Sequence, residues 1–199
     1  MAATNTTAPP HATVDTEIPV KWSGGVKKHV IVDVALRALL FVTGLGAVIV
    51  MVTSKQSKMI PISPVMIIPL DANWSQSPAY IYYVAANCVA CLYSIITGAS
   101  SVLALKKIGG SSEKLQSYFL ILDSLLLGIV SSAVGAGAAV AYIGLKGNSH
   151  SRWNKICNMF GSFCHHVGVS LFISLISTMV ILLLVWLSFY TLTRKIMKR

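Results

Sequence analysis

Four long apolar runs, at about residues 30–52, 80–105, 118–145 and 167–192, take up most of this 199-residue chain. Each exceeds the ~20 residues that cross a ~30 Å hydrocarbon core at ~1.5 Å per residue. In lipid only helices or closed barrels satisfy every backbone polar group. Barrel strands would alternate polar and apolar residues, and these runs do not. The expected fold is therefore all-α: a membrane bundle of four transmembrane helices. Charged residues make up 11% of the chain, against the ~25% of an ordinary soluble domain, and the deficit is concentrated in these runs. Little chain remains for a separate soluble domain. The organisation expected is a disordered cytosolic tail over 1–29, the membrane domain over 30–192 and a basic cytosolic tail over 193–199.

The net charge of +10 does not indicate nucleic-acid binding. The basic residues flank the apolar runs, and they form no single stripe with interleaved aromatics. Their distribution instead predicts orientation. Lys21, Lys27, Lys28, Lys106, Lys107, Lys114, Arg194, Lys195, Lys198 and Arg199 fall on one side. Lys55, Lys58, Lys146, Arg152 and Lys155 fall on the other. The positive-inside rule then puts both termini in the cytosol. Residues 1–20, rich in Ala, Thr and Pro with Asp15 and Glu17, lack the apolar core of a signal peptide. The first span is expected to serve as its own insertion signal.

Two charges lie where lipid should be. Arg37 is about seven residues into the first run, hence ~10 Å deep, and Asp123 about five residues into the third, hence ~8 Å deep from the same side. A mid-membrane charge costs ~2.5–3.5 kcal/mol on insertion scales, so it normally has a partner. The favoured reading is an inter-helix pair, Arg37 with Asp123, that fixes the register of the bundle. The alternatives are a local pair with Asp33, one turn before Arg37, or snorkelling of Arg37 to the interface. With no further chain of acids, a proton or ion relay is poorly supported.

Small residues recur at helical spacing. Ser124, Gly128, Ser132 and Ala136 form one row of the third run, and Ser131, Gly135 and Ala139 form a second. Ala86, Ala90, Ser94 and Gly98 repeat the pattern in the second run. Such rows let backbones approach closely, either inside one bundle or between subunits. Ser124, Gly128, Ser132 and Gly135 are the helix-packing candidates. Cys88 and Cys91, in the second run, read as small hydrophobes.

The segment 146–166 carries Cys157 and Cys164, which on an oxidising face are expected to form a disulfide enclosing Phe160. The rival is a metal site drawing on Cys164, His165, His166 and His150, but adjacent histidines are poorly placed on one ion. The segment 53–79 is apolar from Met59 to Leu70. Pro61, Pro64 and Pro69 forbid a regular helix there and predict extended chain. It would either meet a partner or fold back over its own bundle. Asn73-Trp74-Ser75 is a candidate glycosylation acceptor, a few residues from the second span. Asn5-Thr6-Thr7 matches too but is expected in the cytosol. No phosphate loop, dinucleotide fingerprint, zinc-protease motif or nucleophile elbow is present, so neither catalysis nor a cofactor is expected. A small-solute transporter, channel or accessory subunit is the alternative function. It would call for broken helices around midplane polar sites, whereas no run has a central proline.

Together these pieces resemble the CASP-like (Casparian-strip membrane domain protein-like) family of plants, related to MARVEL four-helix membrane proteins. The resemblance covers about residues 28–192. Arg37 in Leu36-Arg37-Ala38-Leu39 and Asp123 in Leu122-Asp123-Ser124-Leu125 match the family's paired intramembrane charges. The stretch from Ala85 through Asn87 to Tyr93 looks like its second helix. Trp153, Cys157, Phe160 and Cys164 match its second outer loop. Trp74 and the proline-rich first loop look most like the first CASP-like subgroup. The resemblance implies a plasma-membrane protein with cytosolic termini that forms homo-oligomers and hetero-oligomers with other CASP-like proteins. Founding members scaffold a membrane domain that directs local lignin deposition, so secreted wall-modifying enzymes are implied as partners. Those members carry a short aromatic-acidic signature in the first outer loop. Residues 60–66 lack it here, which favours a general scaffold over the Casparian-strip role itself.

Overall fold

The structure is a computed structural model that describes residues 24–63, 66–106, 113–150 and 153–197. Asn5, Asp15, Glu17, Lys21, Pro64, Lys107, Arg152, Lys198 and Arg199 lie outside them. Helix α1 spans Gly24–Val52, α2 Pro78–Lys106, α3 Glu113–Lys146 and α4 Gly161–Met197. All four are long and apolar enough to cross a membrane, over His29–Val52, Pro78–Leu103, Gln116–Lys146 and Gly161–Arg194. The protein is a multi-pass membrane bundle.

The helices outrun the apolar runs that revealed them. α1 begins inside the segment expected to be a tail, and α4 starts six residues before the fourth run and continues into the expected basic tail. Hydropathy marks the lipid-buried stretch. The helix itself continues until a residue stops it, and polar flanks outside lipid propagate it as well. α2 starts at Pro78, whose fixed φ and missing N–H suit the first helical position. α3 ends at Gly147, which has φ of 73°. A Cβ there would come within 2.9 Å of the Trp153 carbonyl oxygen, so glycine is required at this helix stop.

α1 packs on α2 and α4, and α3 packs on α2 and α4. The four helices therefore form a ring in which α1 and α3 face each other across a diagonal. Buried residues recur at steps of three and four on α1 (Arg37, Leu40, Gly44, Ala47, Met51) and α3 (Asp123, Leu126, Val130, Ala133, Gly137). This is the seam spacing of left-handed helix packing. Two apolar clusters fill the ring. One joins Leu40, Ala90, Leu126, Val130, Val180, Ile181 and Leu184. The other, nearer the loops, joins Ala47, Met51, Tyr80, Tyr83, Phe160, Phe163 and Val167. Gly44 and Gly137 permit the closest approaches, since an added Cβ would sit 3.0 Å from Cys91 Sγ and from Leu171 Cδ2 respectively.

The first connection is extended, as its prolines predict, and it pairs with itself. Strand β1 (Lys55–Ser63) runs antiparallel to β2 (Met66–Asn73), from Lys55 opposite Asn73 to Ser63 opposite Met66. Pro69 lies opposite Met59 and Pro61 opposite Ile67. These pairs are two residues apart, so they belong to one class of cross-strand pair. A ladder that continues through both leaves each missing N–H on the outer edge of its strand, which blunts both edges against a further strand. The hairpin's base is tied to the bundle, because the Phe163 N–H donates to Gln56 Oε1 at 3.1 Å.

Candidate functional site

The bundle's most unusual feature is a polar network in the half nearer the chain termini. Arg37 and Asp123 are 2% and 0% exposed, so neither meets bulk water. Arg37 Nη2 lies 3.3 Å and Nη1 3.5 Å from the two Asp123 oxygens, a two-pronged contact across the α1–α3 diagonal. A long, forked side chain is needed to span that distance from a non-adjacent helix. Two further donors are used as well. Nε donates to Asp33 Oδ2 at 3.1 Å and Nη1 to Thr97 Oγ1 at 2.7 Å. The Tyr93 hydroxyl donates to Asp123 Oδ1 at 2.6 Å, and the Ser101 hydroxyl to Asp33 Oδ2 at 2.9 Å. The guanidinium carbon also lies within 6 Å of the Tyr93 and Phe119 ring centres, at 5.8 and 5.7 Å.

Both pairings weighed from the sequence, Arg37 with Asp123 and Arg37 with Asp33, therefore occur at once, on different guanidinium nitrogens. Snorkelling is absent, since Arg37 points into the bundle. Sequence reasoning missed Tyr93, Thr97 and Ser101. They lie four residues apart on one face of α2, and that spacing was the available signal.

A second polar layer lies nearer the loops. Ser177 donates to Thr43 Oγ1 at 2.8 Å, Ser174 to Asn87 Oδ1 at 2.9 Å and Ser170 to the Ala47 carbonyl at 2.7 Å. The Tyr83 hydroxyl donates to the Ser170 carbonyl at 2.8 Å. These bonds join α4 to α1 and α2, whereas the Arg37 network joins α1, α2 and α3. Both layers link helices by hydrogen bonds, in a medium where apolar side chains give no net drive for helix association.

The small-residue rows separate. Ala86, Ala90 and Ser94 of α2 are buried inside the ring. Ser124, Gly128, Ser132 and Gly135 of α3 are exposed on the outer side of that helix. An added Cβ at Gly128 or Gly135 would meet nothing within 4 Å. All four thus lie outside the buried seam of the ring. Asp123, placed at the seam, turns the next residues by three and four inward and leaves the ridge outside. The glycine of α3 that does pack internally is Gly137. The Ser132 hydroxyl donates to the Ile129 carbonyl at 2.9 Å and lies 2.9 Å from the Tyr82 hydroxyl of α2.

Cys157 and Cys164 form a disulfide. Cys164 is thus not a thiolate ligand, and among the described residues no three His, Cys, Asp or Glu side chains gather around a metal-sized space. His165 and His166 stand edge to face, and His166 Nδ1 lies 2.8 Å from the Ser162 carbonyl. Cys91 is buried with Sγ 3.8 Å from the Phe41 carbonyl, whereas Cys88 is exposed on the outside of α2. Asn73 ends β2, is half-buried, and accepts from the Ser75 N–H at 3.4 Å.

Comparison with known proteins agrees with this architecture. The family model for the Casparian strip membrane protein domain matches residues 26–180. CASP-like protein 1D1 of Oryza sativa subsp. japonica is 46% identical over 181 residues, covering 89% of this chain and 84% of that one. CASP-like protein 1 of Panax ginseng is 54% identical over 149 residues, 74% of this chain and all of that one. CASP-like protein IN26 of Ipomoea nil is 46% identical over 172 residues, 84% and 88% of the two chains. No solved structure matches. With four membrane-crossing helices and a family match across most of its length, the chain belongs to the CASP-like family of plant membrane proteins.

Proposed function

We propose that this protein is a plasma-membrane scaffold that associates laterally, with copies of itself and with other CASP-like proteins, to organise a membrane domain. In this reading both termini are cytosolic, and the hairpin and the disulfide-closed loop face the wall, where secreted wall-modifying enzymes are the partners. The observation that carries it is the outward ridge of α3. Gly128 and Gly135 are open on a surface that a second helix can approach backbone to backbone. The buried network supports the same reading, because a platform for neighbours needs a bundle of fixed register.

The test is crosslinking with blue-native sizing of the wild type and of Gly128→Leu/Gly135→Leu in plant membranes. Discrete oligomers that weaken in the variant are expected. Strict monomers in mild detergent and after crosslinking would sink the scaffold reading. Solute flux in proteoliposomes that vanished in Asp123→Asn would favour transport instead.

A further inference from the structure

At the hairpin end of the bundle, a cavity of about 720 Å³ lies between α2, α3 and the start of α4. That size falls within the ~300–1,000 Å³ of small-molecule sites. It is separate from the Arg37 network and from the α3 ridge. Its floor is apolar and buried: Tyr80, Phe160 and Phe163 are 5%, 2% and 8% exposed. The disulfide holds one wall, since Cys157 and Cys164 both line it. Ala138, Ala141, Gly144 and Gly168 leave the space open where larger residues would close it.

Its polarity is segregated. Asp71, Asn73, Gln76 and Ser77, all from the end of the hairpin and the turn after it, form a lip at one end. Among the described residues no Lys or Arg lines the cavity, and the one charged side chain there is the Asp71 carboxylate. A net-anionic lipid head would be repelled by that carboxylate, which disfavours acidic phospholipids. A hydroxyl head can donate to it.

The way in is sideways. Tyr142 and Leu145, at the edge of the cavity, are 64% and 55% exposed within the membrane-crossing part of α3. The floor reaches Ala138 and Leu171. These lie eight and ten residues from the hairpin-end termini of α3 and α4, hence ~12–15 Å in at ~1.5 Å per residue. A ligand there lies along the upper leaflet, with its head at the lip.

We propose that this cavity binds a neutral, hydroxyl-headed amphiphile of the sterol class, taken from the bilayer, with its hydroxyl at the Asp71 lip and its rigid body on the Tyr80–Phe160–Phe163 floor. The test uses the full chain in phosphatidylcholine nanodiscs, with a photoactivatable sterol and, separately, a photoactivatable phosphatidylcholine, and maps the labelled peptides. The sterol probe is expected to label 138–145 and 160–171 preferentially, and unlabelled sterol to displace it. Ala141→Trp, which fills the cavity, and Asp71→Leu, which removes the head acceptor, are each expected to lower that labelling about tenfold, the ratio for ~1.4 kcal/mol. Should Ala141→Trp not fold, displacement in the wild type decides. Sterol labelling spread over all exposed faces, or equal labelling of the cavity by phosphatidylcholine, would overturn the proposal. Displacement by a water-soluble phenolic alcohol in preference to sterol would overturn the bilayer source.

Discussion

Removing one end of the buried pair should not cost the same as removing the other. After Arg37→Ala, Asp123 keeps only the Tyr93 hydroxyl, at 2.6 Å, and its charge stays fully buried. Asp33, with 20% of its side chain exposed, keeps Ser101 and some water. Breaking a buried ion pair from one side costs ~3–5 kcal/mol, chiefly because a lone charge stays behind. After Asp123→Asn, Arg37 still has Asp33 at 3.1 Å and Thr97 at 2.7 Å. The loss is then nearer the ~1.5–3 kcal/mol of charged hydrogen bonds. Arg37→Ala should thus be the more damaging by roughly 2 kcal/mol. The double variant Arg37→Met/Asp123→Leu should be more stable than Arg37→Ala, because no uncompensated charge is buried between the helices. Equilibrium unfolding in bicelles measures all four proteins. Equal costs for the two single changes, or a double variant as unstable as their sum, would refute the idea that Arg37 is held in common by two acids.

Other outcomes follow from the same geometry. Under denaturing, non-reducing conditions the protein should take up two maleimides, at Cys88 and Cys91, and four after reduction; four without reduction would contradict the disulfide. Cys157→Ser/Cys164→Ser should lose about 2.5 kcal/mol, the loop-closure value for so short a ring. Asn87→Ala should cost ~0.6 kcal/mol in bicelle unfolding and at most ~1.7, the mean and maximum for hydrogen bonds between membrane helices; no change would mean that the Ser174 contact contributes nothing. Endoglycosidase should leave the protein's gel mobility unchanged, because Asn73 is half-buried against the bundle and five residues before α2; a shift abolished by Asn73→Gln would refute this.

Much of the architecture was legible because lipid imposes one requirement per span. Four apolar runs translate directly into four helices, and the matched depths of Arg37 and Asp123 bring α1 and α3 into register. Helix ends were less legible: nothing in the hydropathy of Gly161–His166 says that α4 has already begun. The prolines announced extended chain over 55–73, but its pairing with itself depends on the return of the chain to α2. Tyr93, Thr97 and Ser101 looked ordinary, since a hydroxyl on a membrane helix usually bonds its own backbone, as Thr97 also does to the Tyr93 carbonyl at 2.6 Å. The direction of the α3 ridge was present in the sequence, through the steps of three and four from Asp123, but required knowing that Asp123 lies at the seam.

Lateral association through α3 is the central claim, and cysteine crosslinking in native membranes tests it most directly. In a Cys88→Ser/Cys91→Ser background, cysteines would be placed one at a time at Gly128, on the α3 ridge, and at Ile176, exposed on α4. The account predicts dimers through Gly128→Cys and little or none through Ile176→Cys. Dimers through Ile176→Cys alone, or through neither position, would contradict it.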